Sequence, residues 1–218
     1  MMLQMLSDDP RQYFAIVLTV IVSIVLHELA HGFAAIYKGD RTPIETGHMT
    51  GNPLVHMPPV SIIMLLVVGI AWGSMPIMPS RLRGKYAEAF VAVAGPAMNL
   101  VLSLIALTAL ALWMRFSPDT FFASDNHMAE NGRVLLMVFG MMNMALFLFN
   151  LLPIPPLDGS KIVANFVPAY ERFAQTEAGR GAMFAVFMIV FFVSGSLIFK
   201  AASSITLWYV DRLVTILH

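Results

Sequence analysis

The sequence contains no cysteine and has few charged residues. Without cysteine, the chain can form neither a disulfide bond nor a thiolate metal site. Charged residues make up 12% of the 218 residues and apolar residues 58%, whereas roughly a quarter of a typical soluble domain is charged. The 13 Lys and Arg form no dense basic tract, which argues against nucleic acid or a strongly anionic surface as a partner. This composition predicts a chain whose outer surface largely faces lipid.

Long apolar stretches account for most of the sequence. A spanning helix needs about 20 such residues, and the candidates are residues 13–37, 60–78, 86–116, 134–152 and 182–199. A further stretch, residues 205–217, is interrupted by Asp211 and Arg212, which predicts an interfacial helix or an extension of the preceding helix. The acidic N-terminus lacks the basic start and small-residue cleavage site of a signal peptide, so we expect the first stretch to be retained.

The connectors between these stretches are short, and the sequence shows no internal repeat. We therefore predict an all-α polytopic membrane protein in which residues 1–218 form a single membrane-embedded domain. Its spans are expected at about residues 13–37, 86–116, 134–152 and 182–199.

The first apolar stretch contains His27, Glu28 and His31 in the pattern H-E-x-x-H. On a helix, two histidines four residues apart project from one face and can bind one metal ion, with the glutamate beside them as a proton acceptor. Chance is the alternative explanation, but ionisable side chains at membrane depth are costly and usually mark function. The pattern therefore predicts a metal site within the first span.

A zinc site of this kind needs a third protein ligand and an open position for water. Asp158 lies in NLLPIPPLDGSK, directly after the fourth apolar stretch, where the prolines must break the helix. Irregular backbone near membrane depth is tolerated only inside protein or beside a wet cavity, which suits a zinc ligand. An ordinary aspartate in a Pro-rich interfacial loop is the alternative. The remaining histidines lie outside the apolar stretches and are expected to be loop residues: His48, His56, His127 and His218.

Three motifs in order along the chain resemble those of the site-2 protease family of intramembrane zinc metalloproteases, also called peptidase family M50. They are HELAH at residues 27–31, GPAMN at residues 95–99 and N-x-x-P-x-x-P-L-D-G at residues 150–159. The linking segments look like the small bacterial branch of this family, which has no PDZ or CBS domains.

The resemblance implies one Zn²⁺ per chain, bound by His27, His31 and Asp158. It also implies that Glu28 is the general base and that Asn150 contacts the substrate or the oxyanion. The substrate would be a transmembrane protein, and the expected location is the bacterial cytoplasmic membrane.

The GPAMN motif is better explained as scaffold than as catalyst. Gly95 and Ala97 are small enough for neighbouring helices to approach closely, and Asn99 can donate a hydrogen bond to a backbone carbonyl.

Convergence of the three ligands constrains the topology more than hydropathy does. The loops after residue 37 and after Asp158 carry basic residues and are expected to be cytoplasmic. If residues 60–78 crossed the membrane, three spans would separate His31 from Asp158 and place them on opposite faces. We therefore predict that residues 60–78 are re-entrant, helical to about Gly69 and extended after it. The active site would face the cytoplasm, with the N-terminus and residues 119–130 outside.

The extended half of this element predicts how a substrate is held. A transmembrane helix must unwind before it can be cut, because its carbonyls are hydrogen-bonded and covered. An edge strand near residues 72–79 could receive the unwound segment by strand addition.

Two other functional classes remain open from the sequence. A metal transporter could use His and Asp at membrane depth, although it would need ligands along a path and no glutamate placed as a base. A non-catalytic membrane adaptor could retain zinc as a structural clamp, although structural zinc sites usually have four protein ligands.

Overall fold

The structure is a computed structural model that describes residues 2–116 and 127–217. These residues contain ten α-helices. The helices are α1 (Met2–Asp8), α2 (Pro10–Tyr37), α3 (Thr42–Glu45), α4 (Pro53–His56), α5 (Pro59–Val67), α6 (Ala87–Phe116), α7 (His127–Asn150), α8 (Asp158–Phe166), α9 (Pro168–Gln175) and α10 (Glu177–Ile216). No β-strand occurs within the described ranges.

Local sequence signals set both ends of α2. The Asp9 side chain accepts a hydrogen bond from the backbone N–H of Gln12, and Pro10 occupies the first turn, where a missing N–H costs nothing. The helix ends at Tyr37, and Gly39 follows with a φ of 101°, a conformation that favours glycine. The 28 residues of α2 span about 42 Å, enough to cross a bilayer.

Within residues 2–116 and 127–217, three helices are long and apolar enough to cross a membrane: α2, α6 and α7. A fourth crossing is available if α9 and the first part of α10, which meet at 97°, are counted as one broken span. The prediction of an all-α polytopic membrane protein is therefore confirmed.

The long helices alternate in direction. Arg11 at the start of α2 pairs with Glu130 near the start of α7 at 3.2 Å, and the Arg115 side chain in the last turn of α6 donates to the carbonyl of Leu217 after α10 at 3.0 Å. The Tyr37 ring at the end of α2 lies 5.9 Å from the Phe90 ring near the start of α6. Thus α2 and α7 run one way and α6 and α10 the other. We call the end where α2 and α7 finish the site end of the bundle, and the opposite end the distal end.

The helix boundaries differ from the predicted spans in two places. Helix α7 begins at His127, before the apolar stretch predicted to start at residue 134, and ends at Asn150. Helix α10 continues unbroken to Ile216, so residues 205–217 extend the preceding helix. Asp211 and Arg212 permit this because both are exposed, while Val210 on another face packs against α6. Most of the predicted outside loop, residues 119–126, falls outside the described residues.

The segment between α4 and α6 leaves the site end and returns to it. Helix α5 has only nine residues, about 14 Å, and the chain turns back at Gly69, whose φ is 91°. Residues 70–78 then return without helix or strand, and the Ser74 N–H bonds to the carbonyl of His56 at 2.9 Å. This course places residues 56 and 74 at the same level of the bundle, as a re-entrant element requires.

Candidate metal centre

His27 and His31 lie inside α2, ten and six residues before its end at Tyr37. At 1.5 Å per residue, this places them roughly 9–15 Å from the site end of the helix. Both side chains are buried, as is Glu28 between them. The pair therefore lies well inside a helix that is long and apolar enough to cross a bilayer.

Three donor atoms converge at this point. The Nε2 atoms of His27 and His31 are 3.0 Å apart, and the Asp158 Oδ2 atom lies 3.1 Å and 3.2 Å from them. Zinc–ligand bonds of about 2.0–2.1 Å in a tetrahedral arrangement separate the donor atoms by about 3.3 Å. The three residues thus fit a zinc ion, and they are the one His, Asp or Glu cluster of this kind in the described part of the chain.

Both imidazole rings are held through the nitrogen that faces away from this cluster. His31 Nδ1–H donates to the Val91 carbonyl of α6 at 2.7 Å, and His27 Nδ1–H donates to the Asn99 side-chain oxygen at 2.7 Å. A proton on Nδ1 leaves the lone pair of Nε2 free to bind a metal ion.

Gly95 lies directly against the two imidazoles. A Cβ atom at this position would collide with the Nε2 atoms of both His27 and His31. The glycine of the GPAMN motif therefore lets α6 approach the metal position closely. Any larger side chain would occupy the space that the ion needs.

Asp158 reaches the cluster because α7 stops at Asn150 and the chain turns through the three prolines before α8 begins. Asp158 is the first residue of α8 and is buried. Gly159 packs so closely against the carbonyls of Leu151 and Leu152 that a Cβ atom would collide with both. The Lys161 ammonium lies 3.7 Å from Asp158 Oδ1, the oxygen that does not face the histidines.

A cavity of about 980 Å³ opens beside the cluster. It is lined by the three donor residues, by Glu28 and Asn150, by residues 69–75 and Ile77, and by phenylalanines of α10. The Asn150 side chain is half-buried and donates to the Leu146 carbonyl of its own helix at 3.1 Å. All five predicted site residues therefore border one space.

The other histidines with described side chains lie away from the cluster. His56 is fully buried and donates from Nε2 to the Thr50 carbonyl at 2.8 Å, whereas His48 bonds within its own loop to Thr46. His48 is a loop residue as predicted, whereas the prediction for His56 is wrong, because His56 is the last residue of α4 and is buried.

Sequence reasoning missed several residues that shape the site. Asn99 was expected to donate to a backbone carbonyl, but its oxygen accepts from His27 and its amide nitrogen donates to Asn143. Gly95 was expected to allow close packing of two helices, but it packs directly against the imidazoles of His27 and His31. No local pattern signals either contact, because both partners are distant in sequence.

Asp40 was also missed, and it anchors the end of residues 70–78. Its buried carboxylate accepts hydrogen bonds from Thr42 and, at 2.7 Å, from the backbone N–H of Met78. Burial opposes ionisation, but the hydrogen bonds from Thr42 and Met78 hold the pKa of Asp40 below its usual value. The carboxylate therefore ties the end of residues 70–78 to the loop after α2.

Comparisons with known proteins agree with this geometry. The model for "Peptidase family M50" matches residues 120–193, which include Asn150 and Asp158. A Bacillus subtilis (strain 168) protein named "Putative zinc metalloprotease YwhC" is 36% identical over 81% of this chain and 79% of its own length. Rip2 of Mycobacterium tuberculosis H37Rv, whose name has the same wording, is 28% identical over 87% of this chain and 72% of its own length. No solved structure matches the chain.

Proposed function

The chain belongs to peptidase family M50 and is a membrane zinc metalloprotease, and from this premise we propose that it hydrolyses peptide bonds in or near the transmembrane segments of membrane proteins. The observation that carries the proposal is the depth of the buried donor cluster within a membrane-spanning helix, beside a cavity that also contains Glu28. A site for soluble substrates would not need to lie at this depth.

The proposed ligands are His27, His31 and Asp158, and each has a defined role. The two neutral imidazoles would hold the ion through Nε2 and the carboxylate through Oδ2. The chemistry that zinc would supply there is a lowered pKa of water and polarisation of the peptide carbonyl. Glu28 accepts the proton from the attacking water and then donates it to the leaving amine.

Two features argue against the other functional classes. A transporter needs polar ligands along a path, whereas the cavity wall beyond the cluster is largely apolar, with Phe187, Phe191 and Ile198 among its residues. A structural clamp would fill the fourth coordination position with protein, whereas the donor cluster in the described part of the chain has three members.

We propose that residues 72–78 form an extended segment with a binding edge for an unwound substrate. One edge is anchored, because Ser61 Oγ bonds to both backbone groups of Trp72 at 2.7 Å and 2.8 Å, and the N–H groups of Ser74 and Met78 bond to His56 and Asp40. Successive residues of an extended chain direct their backbone groups to opposite edges.

If residues 72–78 are extended, as we propose, the backbone groups of Gly73, Met75 and Ile77 lie along the opposite edge. None of the three takes part in a hydrogen bond within the described residues, and all three line the cavity. A Cβ atom on Gly73 would fall within 2.8 Å of Glu28 Oε1, so Gly73 lies directly beside the proposed base. We propose that an extended substrate pairs with this edge and presents its scissile carbonyl near Glu28.

We further propose that residues 1–218 act as one membrane-embedded domain in the bacterial cytoplasmic membrane, with the site end toward the cytoplasm. Basic residues favour this orientation, because eight of the 13 lie at the site end: Lys38, Arg41, Arg81, Arg83, Lys85, Lys161, Arg172 and Arg180.

Single cysteines in this cysteine-free chain can test the orientation and the re-entrant element together. Asn52→Cys and Arg83→Cys are expected to react with a membrane-impermeant thiol reagent only from the cytoplasmic face. Asp8→Cys, exposed in α1 at the distal end, should react only from the outer face. Labelling of positions 52 and 83 from opposite faces would contradict the re-entrant element and the proposed substrate edge.

Asn150 is proposed to contact the developing oxyanion. Its amide has a second N–H beyond the one bonded to Leu146, and that group is free to donate into the cavity. Asn150→Ala is expected to lower kcat about a hundredfold or more, because a buried oxyanion donor contributes on that scale, while zinc content stays at one per chain.

A matched control is Asn165→Ala. The Asn165 side chain also bonds to the backbone, at Ala89 and Lys85, but it lies outside the cavity. We expect it to retain turnover, and near-normal turnover in Asn150→Ala would reduce that residue to a packing role.

The function is tested by incubating the detergent-purified protein with a membrane-spanning peptide, with zinc bound and after removal by a chelator. Zinc-dependent cleavage that returns when zinc is restored is the expected result. A zinc-loaded, folded protein that leaves a panel of such peptides intact would favour the adaptor or transporter.

A further inference from the structure

A chain of buried amides connects the metal centre to α7. His27 Nδ1–H donates to Asn99 Oδ1 at 2.7 Å, Asn99 Nδ2–H donates to Asn143 Oδ1 at 2.9 Å, and Asn143 Nδ2–H donates to the Phe139 carbonyl at 2.9 Å. Both asparagines are almost fully buried, with exposed fractions of 1% and 0%. We propose that Asn99 of α6 and Asn143 of α7 are positioning residues. They fix His27 as a zinc ligand from two helices that supply no zinc ligand themselves.

The direction of this chain is set at its far end. The Phe139 carbonyl can only accept a hydrogen bond, so the nitrogen of the Asn143 amide must face it and the oxygen must face Asn99. Asn99 must then direct its nitrogen toward Asn143 and its oxygen toward His27. Only the His27 tautomer with a proton on Nδ1 satisfies that oxygen, and this tautomer leaves Nε2 free for the metal.

The two histidine ligands are therefore held by different means. His31 donates directly to a backbone carbonyl, which selects the same tautomer and which no side-chain substitution removes. His27 depends on two side chains from α6 and α7. A wrong tautomer at His27 would leave a buried donor or acceptor unpaired, which is costly in an apolar interior.

This chain of hydrogen bonds from His27 through Asn99 and Asn143, which we call the relay, also joins three elements of the site. It ties α2, which supplies His27, to α6, which carries Gly95, and to α7, which ends at Asn150 just before the turn to Asp158. A shift of α7 relative to α6 would break the hydrogen bond between Asn99 and Asn143. The geometry thus makes zinc affinity depend on the packing of α7, one step beyond the residues that touch His27.

The test measures zinc affinity of the full-length, detergent-purified protein by competition with a chromogenic chelator. Asn99→Ala is expected to weaken zinc binding about 10- to 100-fold, the usual effect of removing a histidine ligand's partner. Asn143→Ala should weaken it about two- to tenfold, the effect of one ordinary hydrogen bond. The double variant should bind no more weakly than Asn99→Ala alone, because the residues act in series.

Two further variants separate positioning from packing. Asn99→Asp keeps an acceptor for His27 and should recover most of the affinity lost in Asn99→Ala. Ser103→Ala is the matched control, because it also removes a buried hydrogen bond between α6 and α7, from Ser103 Oγ to the Gly140 carbonyl at 2.8 Å, but one outside the relay. It should leave zinc affinity unchanged.

A second measurement is independent of affinity. In zinc-free protein with ¹⁵N-labelled histidine, the NMR spectrum should report the Nδ1–H tautomer of His27 in the wild type and a mixture of tautomers in Asn143→Ala. Equal zinc affinities in Asn143→Ala and Ser103→Ala, additive losses in the double variant, or an unchanged tautomer would overturn the proposal. None of these readouts depends on peptide cleavage, so failure of the relay is distinguishable from failure of the proposed function.

Discussion

Replacing Glu28 with Gln is expected to reduce turnover at least about a hundredfold while one zinc ion per chain remains bound. General acid–base catalysis typically contributes about 10²- to 10⁴-fold, and glutamine cannot accept the proton from water. The substitution preserves the size of the side chain and leaves His27, His31 and Asp158 intact. The measurement is kcat on a membrane-spanning peptide together with metal analysis of the same preparation.

Glu88→Gln supplies the control for this substitution. Glu88 lines the same cavity from the first turn of α6, so the change removes one negative charge from the cavity without touching the proposed base. We expect turnover close to that of the wild type. If Glu28→Gln retained the same turnover as Glu88→Gln, the assignment of Glu28 as the base would be wrong.

Asp158→Ala is expected to abolish activity by a different route, through loss of the metal. Two imidazoles alone hold zinc poorly, and the variant leaves the Nε2 atoms of His27 and His31 close together without the carboxylate. Zinc content after dialysis should fall well below one per chain.

The matched control is Asp40→Asn, a change at another buried aspartate. Its side-chain oxygen can still accept from Met78, and we expect full zinc content. Asp158→Ala protein that holds stoichiometric zinc would show that another residue is the third ligand.

Hydropathy predicted the architecture well because the spanning helices are dictated by bulk composition. It was less accurate at helix ends, where capping and packing decide. The polar residues before 134 gave no apolar signal, yet they form the first turns of α7. Asp211 and Arg212 left open whether residues 205–217 form an interfacial helix or extend the preceding one, and both are exposed in the continuous helix that the structure shows.

The metal cluster could be anticipated because its members obey local rules. The spacing of His27 and His31 is a property of one helix, and Asp158 follows a run of prolines that must end another. The structure brings these residues and Glu28 to one cavity, while their catalytic and ligand roles stay predictions.

The supporting contacts could not be anticipated from the sequence. Asn99 and Asn143 are 44 positions apart, and an asparagine in an apolar helix does not reveal which helix it faces. Asp40 and Met78 are likewise joined only by the fold. Such partners depend on the relative rotation of packed helices, which periodicity does not specify.

The position of the scissile bond in a membrane-embedded substrate tests the central claim most directly. The protein would be reconstituted in lipid vesicles with a single-span substrate, and the products would be mapped by mass spectrometry in parallel with Glu28→Gln. We expect wild-type cleavage within or at the edge of the apolar segment, at a depth matching the 9–15 Å between the end of α2 and the histidines, and no cleavage by the variant. Cleavage confined to soluble regions of the substrate, or products that persist with Glu28→Gln, would contradict the account.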